Sequence, residues 1–568
     1  MSGVSRLLSL VGRLPTVLRT LSALRPAQAK AQIHHMFFGL PEPYRGAGGG
    51  PTLAVDRAQA VFLGAAPHIA ASETGNGLRI ELLRREIVFP PTLSDFDWTA
   101  APHGPLVAYH LHEQAYLRHA NVSPQRRAEI ILDWIDRHET GVGWDPHPIS
   151  LRLLSWGKLL LTPGALPEDA TLRAKMMGSM RDQAESLSRG LEVRLQANHL
   201  LSNLLGVVWA GLLLDGTDAA GWRERSAMLI QEFAAQVHPD GGHEERSPMY
   251  HSLLLENVLD LLNLARASEH ADAALVTCLE GVARRMGEAL RVYTGPDGRI
   301  CLFADSAWGV CAEPESLSRY AEALGLVVAE GASEEGALTV LPDSGYARLA
   351  CEGFDALVST HGPSPAHQPG HAHCDVLGFE LFVDGDRVVT DTGVFEYQVG
   401  PNRLAARSTE SHATLQFNGR EQSEIWSAHR VGGRAATAIP RTLESGAVEF
   451  SVIGWGGAPE HRRRIQIREQ GFEIEDRVSQ AGHDVVSRFP FAPEMQVEGT
   501  ATGERVSGSL ILRSEQSGTQ VRIVLPDALE WQLESGVFFP TFHESVPRLV
   551  LVGRGRTPLE ASLRFERA

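Results

Sequence analysis

The spacing of apolar residues along this chain changes once. Between residues 104 and 292 they recur three and four apart, in segments of helical length: 106–119, 124–138, 149–161, 169–187, 198–214, 219–237, 250–267 and 271–293. Breakers such as Thr162-Pro163-Gly164 and Pro239-Asp240-Gly241-Gly242 separate them. Consecutive helices with short loops predict antiparallel hairpins stacked into a ring or a solenoid. A glycine- and acid-rich connection near 329–344 ends this pattern, and beyond it the period falls to two. Strands are expected at 376–383, 387–390, 413–417, 448–453, 463–467, 472–478, 509–513, 521–525 and 548–552, with turns at Asp384-Gly385-Asp386, Asn418-Gly419 and Glu469-Gln470-Gly471. The expected fold is α+β and multidomain: a helical domain, then an antiparallel β domain built as a two-sheet sandwich. The cleft between the two domains is the default site.

Composition narrows the function. The 568 residues are 43% hydrophobic and 21% charged, as in soluble globular proteins. A net charge of −17 excludes the broad basic face that nucleic acid requires. Lys30, Lys158 and Lys175 are the only lysines, so nearly every cation is an arginine, whose planar fork suits carboxylates and sulfates. The five cysteines are scattered and form no CxxC pair, which reads as reduced, buried thiols. No apolar run is long enough to span a membrane. Residues 1–41 contain no acid, and Arg6, Arg13, Arg19 and Arg25 recur among leucines. This is the pattern of a basic amphipathic arm that docks or lies on a membrane surface. Arg13, Pro15 and Arg19 interrupt its apolar stretch and make it a poor secretory signal, so a cytoplasmic location is expected over a periplasmic or secreted one.

Three stretches carry candidate chemistry. In Gly370-His371-Ala372-His373-Cys374-Asp375 the two histidines would share one face of a strand. They could chelate one metal, or one could hold an ion while the other moves a proton. Asp391 and His412 follow. Gln196-Ala197-Asn198-His199 opens an apolar helix. Asn198 is either its N-cap or, with His199, a donor to an anion at the helix start. The segment 240–251 (Asp240-Gly241-Gly242-His243-Glu244-Glu245-Arg246-Ser247-Pro248-Met249-Tyr250-His251) crowds titratable groups ahead of another helix. Its glycines permit a tight turn, Glu245 could cap or orient a neighbour, and Tyr250 is either a buried phenol or a proton carrier.

Together these segments resemble the heparinase II/III superfamily of polysaccharide lyases. The resemblance spans most of the chain. Trp134-Ile135 through Pro148-Ile149-Ser150-Leu151-Arg152 is similar to that family's amino-terminal helical region. Asn198-His199, the 240–251 segment, the His371-Ala372-His373 block, Asp391-Thr392-Gly393 and Arg407-Ser408 through His412-Ala413-Thr414 resemble its motifs in the usual order. The resemblance implies an (α/α) toroid joined to a β-sandwich, with an amino-terminal arm at 1–33, the toroid at 34–335 and the sandwich with a metal site at 336–568. It implies β-elimination at a uronic acid in an acidic polysaccharide. Asn198 and His199 would neutralise the carboxylate. Tyr250 would be the acid and, for one sugar epimer, also the base; His371 would be the base for the other. His373, Asp391 and His412 would hold a divalent ion, zinc being the best fit, in a structural role. Arg152, Glu245 and Arg407 would contact substrate, the arginines by bidentate contacts to its acids; structural ion pairs are their alternative. Cys374 departs from the family pattern, where a small residue such as Ala is more frequent. The lack of a clear secretory signal departs from secreted lyases and suggests action on imported oligosaccharide or in exopolysaccharide assembly. The rival readings are a non-catalytic polysaccharide-binding or assembly protein, and a glycoside hydrolase using Asp240 with Glu244 or Glu245.

Overall fold

Helices form where the apolar residues repeat at helical spacing. In the computed structural model, residues 14–46, 50–326, 338–351, 353–436, 440–443, 447–468 and 471–568 are described. Arg6, Arg13, most of the 329–344 connection and Glu469-Gln470 lie outside them. The helical half contains Pro105–Glu113, Pro124–Arg137, Pro146–Leu161, Ala170–Arg189, Ala197–Leu213, Ser226–Gln236, Pro248–Ala267, Ala273–Tyr293 and Pro314–Ala323. Proline occupies the first turn of several of these helices, where its missing N–H costs nothing. Ser123, Asp169, Ser247 and Asp272 each cap a helix with a side-chain oxygen. The segment expected as one helix at 219–237 is two, Ala219–Arg223 and Ser226–Gln236. Gly157 and Gly206 bring neighbouring helices close. A Cβ on Gly157 would collide with the Trp209 ring, and one on Gly206 with the Ser150 backbone at 2.8 Å. A three-stranded sheet, Ala70–Thr74, Gly77–Leu82 and Arg85–Phe89, precedes the helices and packs into the same core. The apolar pattern had not pointed to it.

From Leu338 onward the regular structure is mostly antiparallel sheet, interrupted by the short helix Pro401–Arg407 and by long loops. A five-stranded sheet runs Asp386–Val389, Phe379–Val383, Phe354–Ser359, Tyr346–Cys351, Leu338–Leu341. A second of five strands and a third of eight complete the sandwich. Their inner faces meet in a cluster of Phe379, Phe472, Phe489 and Phe565, with ring centroids 5.7–6.1 Å apart. Two of the three turns read from Gly are formed with left-handed backbone at each central residue: Asp384 (φ 51°) with Gly385 (φ 90°), and Asn418 (φ 52°) with Gly419 (φ 63°). This is the conformation that matches strand twist and favours Asp-Gly and Asn-Gly. Among the described residues no helix is long and apolar enough to cross a membrane.

Candidate active site

The helix Pro248–Ala267 places Tyr250 in its first turn. Ser247 caps that helix, its oxygen accepting from the Tyr250 N–H at 3.2 Å and its hydroxyl donating to the Asp305 carbonyl at 2.7 Å. Ser306 Oγ accepts from the Met249 N–H at 3.2 Å. The start of Tyr250's helix is thereby tied to the loop that carries Asp305.

Asp305 organises the site. Its carboxylate is fully buried and receives the Arg403 guanidinium on both oxygens, the Arg403–Oδ2 distance being 2.8 Å. His371 Nδ1 lies 2.8 Å from Oδ2, and His373 Nε2 lies 2.9 Å from Oδ1. Burial alone would raise this carboxyl's pKa. Arg403 and the hydrogen bonds from the two imidazoles outweigh it and hold the group well below the ordinary range. An ionised carboxylate only accepts, so each ring nitrogen facing it carries the proton. His371 therefore carries a proton on Nδ1 and turns Nε2 away from Asp305. His373 is Nε2–H with its lone pair on Nδ1, a buried atom with no other partner.

The two histidines do not sit on a strand. Residues 370–375 form a loop ahead of the strand Phe379–Val383, and the pair grips the two oxygens of one carboxylate, not one ion. The alternating pattern that suggested a strand is answered by Asp305, 66 residues away from His371. From this anchor His371 lies against Tyr250, ring centroids 4.0 Å apart. Tyr250 Oη is 2.9 Å from Tyr397 Oη. Burial pushes the Tyr250 hydroxyl well above its ordinary pKa, and the negative charges of Asp305 and Glu245 add to that, so it is protonated at neutral pH.

Tyr250 and Tyr397 line a cleft of about 190 Å³ that runs into the toroid past Asn198, His147, Glu113, Lys158, Glu256 and Arg118. Asn198 is not the N-cap. Gln196 holds that position, and Gln196 (φ 58°) and Ala197 (φ 47°) are both left-handed. Non-glycine residues take this conformation at a cost. The strained entry turns Asn198 into the cleft, its N–H on Glu245 Oε1 at 3.3 Å and its side-chain oxygen without a partner. His199 Nδ1 meets Glu192 Oε2 at 3.1 Å, and its ring lies 4.8 Å from that of His147. Burial would lower the His199 pKa; Glu192 more than compensates and raises it. His147, Glu192 and His199 also lie close enough to share an ion.

A second three-residue cluster is buried behind His371. One ligand atom each from His373, Asp391 and His412 lie within 4.8 Å of one another. His412 Nδ1 is 2.7 Å from Asp391 Oδ2, while His412 Nε2 and His373 Nδ1 have no partner. Unpartnered imidazole nitrogens beside a carboxylate, all buried, fit a divalent cation.

Three residues expected to contact substrate do other work. Arg152 is fully buried, with its donors on Gln183 Oε1 (2.9 Å) and the carbonyls of His112 (2.7 Å) and Gly143 (2.8 Å), and its guanidinium over Trp134. Arg407 is buried on the carbonyls of Ala372, Ser427, Ala428 and Arg430. Neither makes the structural ion pair offered as the alternative; both satisfy backbone. Glu245 is buried: its Oε1 accepts from the Asn198 N–H at 3.3 Å, while its Oε2 lies 3.9 Å from His371 Nε2. Asp240 accepts from the Asp343 and Ser344 N–H groups, each at 2.9 Å, pinning the helical half to the β half. It is not available as a hydrolase carboxylate.

Sequence reasoning missed Asp305, Tyr397 and Arg403. The one sign of Asp305 was a lone acid in the apolar run from Cys301 to Trp308, since an acid among apolar residues is buried only with partners.

Two family models match the chain. One, described as heparinase II/III N-terminus, covers residues 162–324; the other, heparinase II/III-like C-terminal, covers residues 334–565. No curated protein matches in sequence. Solved structures with a similar fold include a heparan sulfate lyase HepC from Pedobacter heparinus (18% identity, TM-score 0.55, covering 85% of this chain and 80% of that one). A heparinase III structure also matches (16% identity, TM-score 0.61, covering 82% and 76%). These likenesses are of fold: a helical toroid followed by a β-sandwich.

Proposed function

Because the chain belongs to the heparinase II/III family, we propose that it is a polysaccharide lyase cleaving a uronic-acid polymer by β-elimination. The observation that carries this reading is the contact between Tyr250 and His371, with Asp305 fixing which imidazole nitrogen is free. The C5 proton of a uronate is too weak an acid to leave unaided. His371 Nε2 takes it, Asp305 stabilising the imidazolium that forms. The C5–H electron pair becomes the C4=C5 double bond as the C4–O4 bond breaks. Tyr250 gives its proton to the departing O4, and the Tyr397 hydroxyl donates to the tyrosinate left behind. General acid–base assistance of this kind contributes about 10²–10⁴-fold. For the opposite epimer at C5 the family pattern would make Tyr250 base as well as acid, a role that the raised pKa of its phenol here disfavours. Charge builds on the C5 carboxylate during the step, and the Asn198 amide and the His199 imidazolium meet it. One well-placed donor of this kind is worth ~3–4 kcal/mol.

His373, Asp391 and His412 hold a divalent ion in this reading. Bound there, it adds a fixed positive charge and locks the loop that presents His371. The cleft lining favours carboxylates over dense sulfation. Its two full cations, Arg118 and Lys158, both face Glu256, and Lys158 also pairs with Asp260.

The test is ultraviolet absorbance from the conjugated product on heparan sulfate, hyaluronan, chondroitin and alginate. Metal-loaded, folded protein should generate it on at least one, with unsulfated polymers ahead of sulfated ones. Silence on all four sinks the reading. Tyr250→Phe should abolish turnover with the fold intact; a Tyr250→Phe enzyme that still turns over would remove Tyr250 as the acid.

A further inference from the structure

The amino-terminal helices are mounted inside out. In Leu14–Ser22 the polar residues face the protein. Thr16 donates to Glu424 at 2.7 Å, and Arg19 binds the same carboxylate through Nε at 2.9 Å. Thr20 Oγ1 lies 3.2 Å from the Val431 carbonyl and 3.1 Å from the Trp426 indole N–H. Leu14, Leu18 and Leu21, spaced four and three apart, fall on the opposite face and point to solvent. The next helix, Pro26–Phe38, repeats the arrangement. Its one buried residue is Gln28, which reaches Gln368 on the β half, while Arg25 ahead of it reaches Gln196 on the helical half. Ile33, Met36, Phe37 and Phe38 are left outside. These seven side chains are 53–77% exposed. With Leu40 they make eight of the fifteen large apolar side chains exposed among the described residues. A monomer in water does not hold such a patch without a partner.

We propose that this amino-terminal arm binds an anionic lipid surface, with its leucines and phenylalanines in the acyl boundary and its cations at the headgroups. Charge selects this occupant. Residues 1–41 carry no acid, and Arg25 and Lys30 are exposed beside the apolar face. A twofold pairing of two chains would set each arm against its own copy, like charge facing like charge, between bodies of net −17. An anionic bilayer meets the arm with opposite charge. Screening over about 8 Å at physiological salt separates the acidic body from that surface. The arm also bridges Gln196 on the helical half and Gln368 on the β half, so both halves would be held to the membrane through it.

The experiment is co-sedimentation of the full chain with phosphatidylcholine–phosphatidylglycerol vesicles and with pure phosphatidylcholine, at low and high salt. The mixed vesicles should capture the protein, pure phosphatidylcholine should not, and salt should weaken capture. Phe37→Ser/Phe38→Ser should lower the bound fraction about tenfold or more, and Lys30→Glu by a few fold. Both changes lie on the exposed face, and unchanged circular dichroism confirms folding. No capture above a vesicle-free control overturns the proposal. So does equal, salt-insensitive capture by neutral vesicles, or a stable dimer in ultracentrifugation that the Phe37/Phe38 variant dissolves.

Discussion

Two buried Asp–Arg–His clusters sit in this molecule, and only one faces the cleft. In the sandwich core Asp476 receives Arg463 on both oxygens (2.7 and 2.8 Å) and His461 Nε2 at 2.8 Å. Asp305 receives Arg403, His371 and His373 in the same manner. The donors are alike; the difference is where each imidazole's second nitrogen looks. His461 Nδ1 is sealed in the core with no partner. His371 is partly exposed and stacks on Tyr250, which lines the cleft. Arg463 also donates to the carbonyls of Leu377 and Ala413, each at 2.6 Å, bracing the segments next to the proposed metal ligands. In the proposed mechanism the same triad is thus a strut in one place and a proton-handling device in the other. Exposure of one ring nitrogen separates the two roles, not residue type.

That contrast can be broken at either end. Asp305→Asn replaces an acceptor-only group with one that can donate, so the His371 tautomer is no longer dictated. Turnover per folded molecule should fall by about 10³–10⁴-fold, measured by product absorbance. A fall of only a few fold would reduce Asp305 to scaffolding. Asp476→Asn leaves Arg463 buried without its counter-charge and should cost ~3–5 kcal/mol of stability, read from denaturant unfolding. Turnover per folded molecule should stay near wild type; a matching catalytic loss would erase the distinction. Removing the metal with a chelator should slow turnover by about tenfold through disorder of the His371 loop. Emission spectroscopy of the protein should show His412→Ala binding less metal than wild type.

The smallest effect belongs to His461. His461→Gln should cost ~1–2 kcal/mol, the range for a buried hydrogen bond. It should also flatten the acid limb of stability. Burial lowers the His461 pKa, overcoming the raising effect of Asp476. Its folded value is below the unfolded one of about 6.5, so the unfolded state binds more protons below that pH. The contribution of His461 is therefore full above about pH 6.5 and is lost as pH falls through the folded value. Unfolding midpoints across that window, for wild type against His461→Gln, check the sign.

Much of the architecture was legible because periodicity is a local property. The helices at 124–137, 170–189 and 248–267 and the strands at 448–453 and 471–478 fall within a residue or two of expectation. The two Gly turns were legible because a left-handed backbone needs particular residues. Arg152 and Arg407 misled because a guanidinium suits a substrate acid and a ring of backbone carbonyls equally, and sequence does not say which it meets. His371-Ala372-His373 misled because alternation also occurs in a loop when two side chains converge on one group. Asp305 and Tyr397 were out of reach because their partners are brought to them only by packing of the toroid against the sandwich.

The Asp305 hub has a consequence for how this protein can change over generations. One carboxylate is shared by side chains from the loop at 370–375 and the short helix Pro401–Arg407, and its hydroxyl-tied loop anchors the start of Pro248–Ala267. An alteration at any of these positions disturbs the other members together, so single steps away from this arrangement are penalised more than their sum. Such a site drifts only by concerted replacement. Lys158 and Arg118 on the cleft lining are tied together in the same way through Glu256 and Asp260, so that stretch of the cleft also changes only as a set.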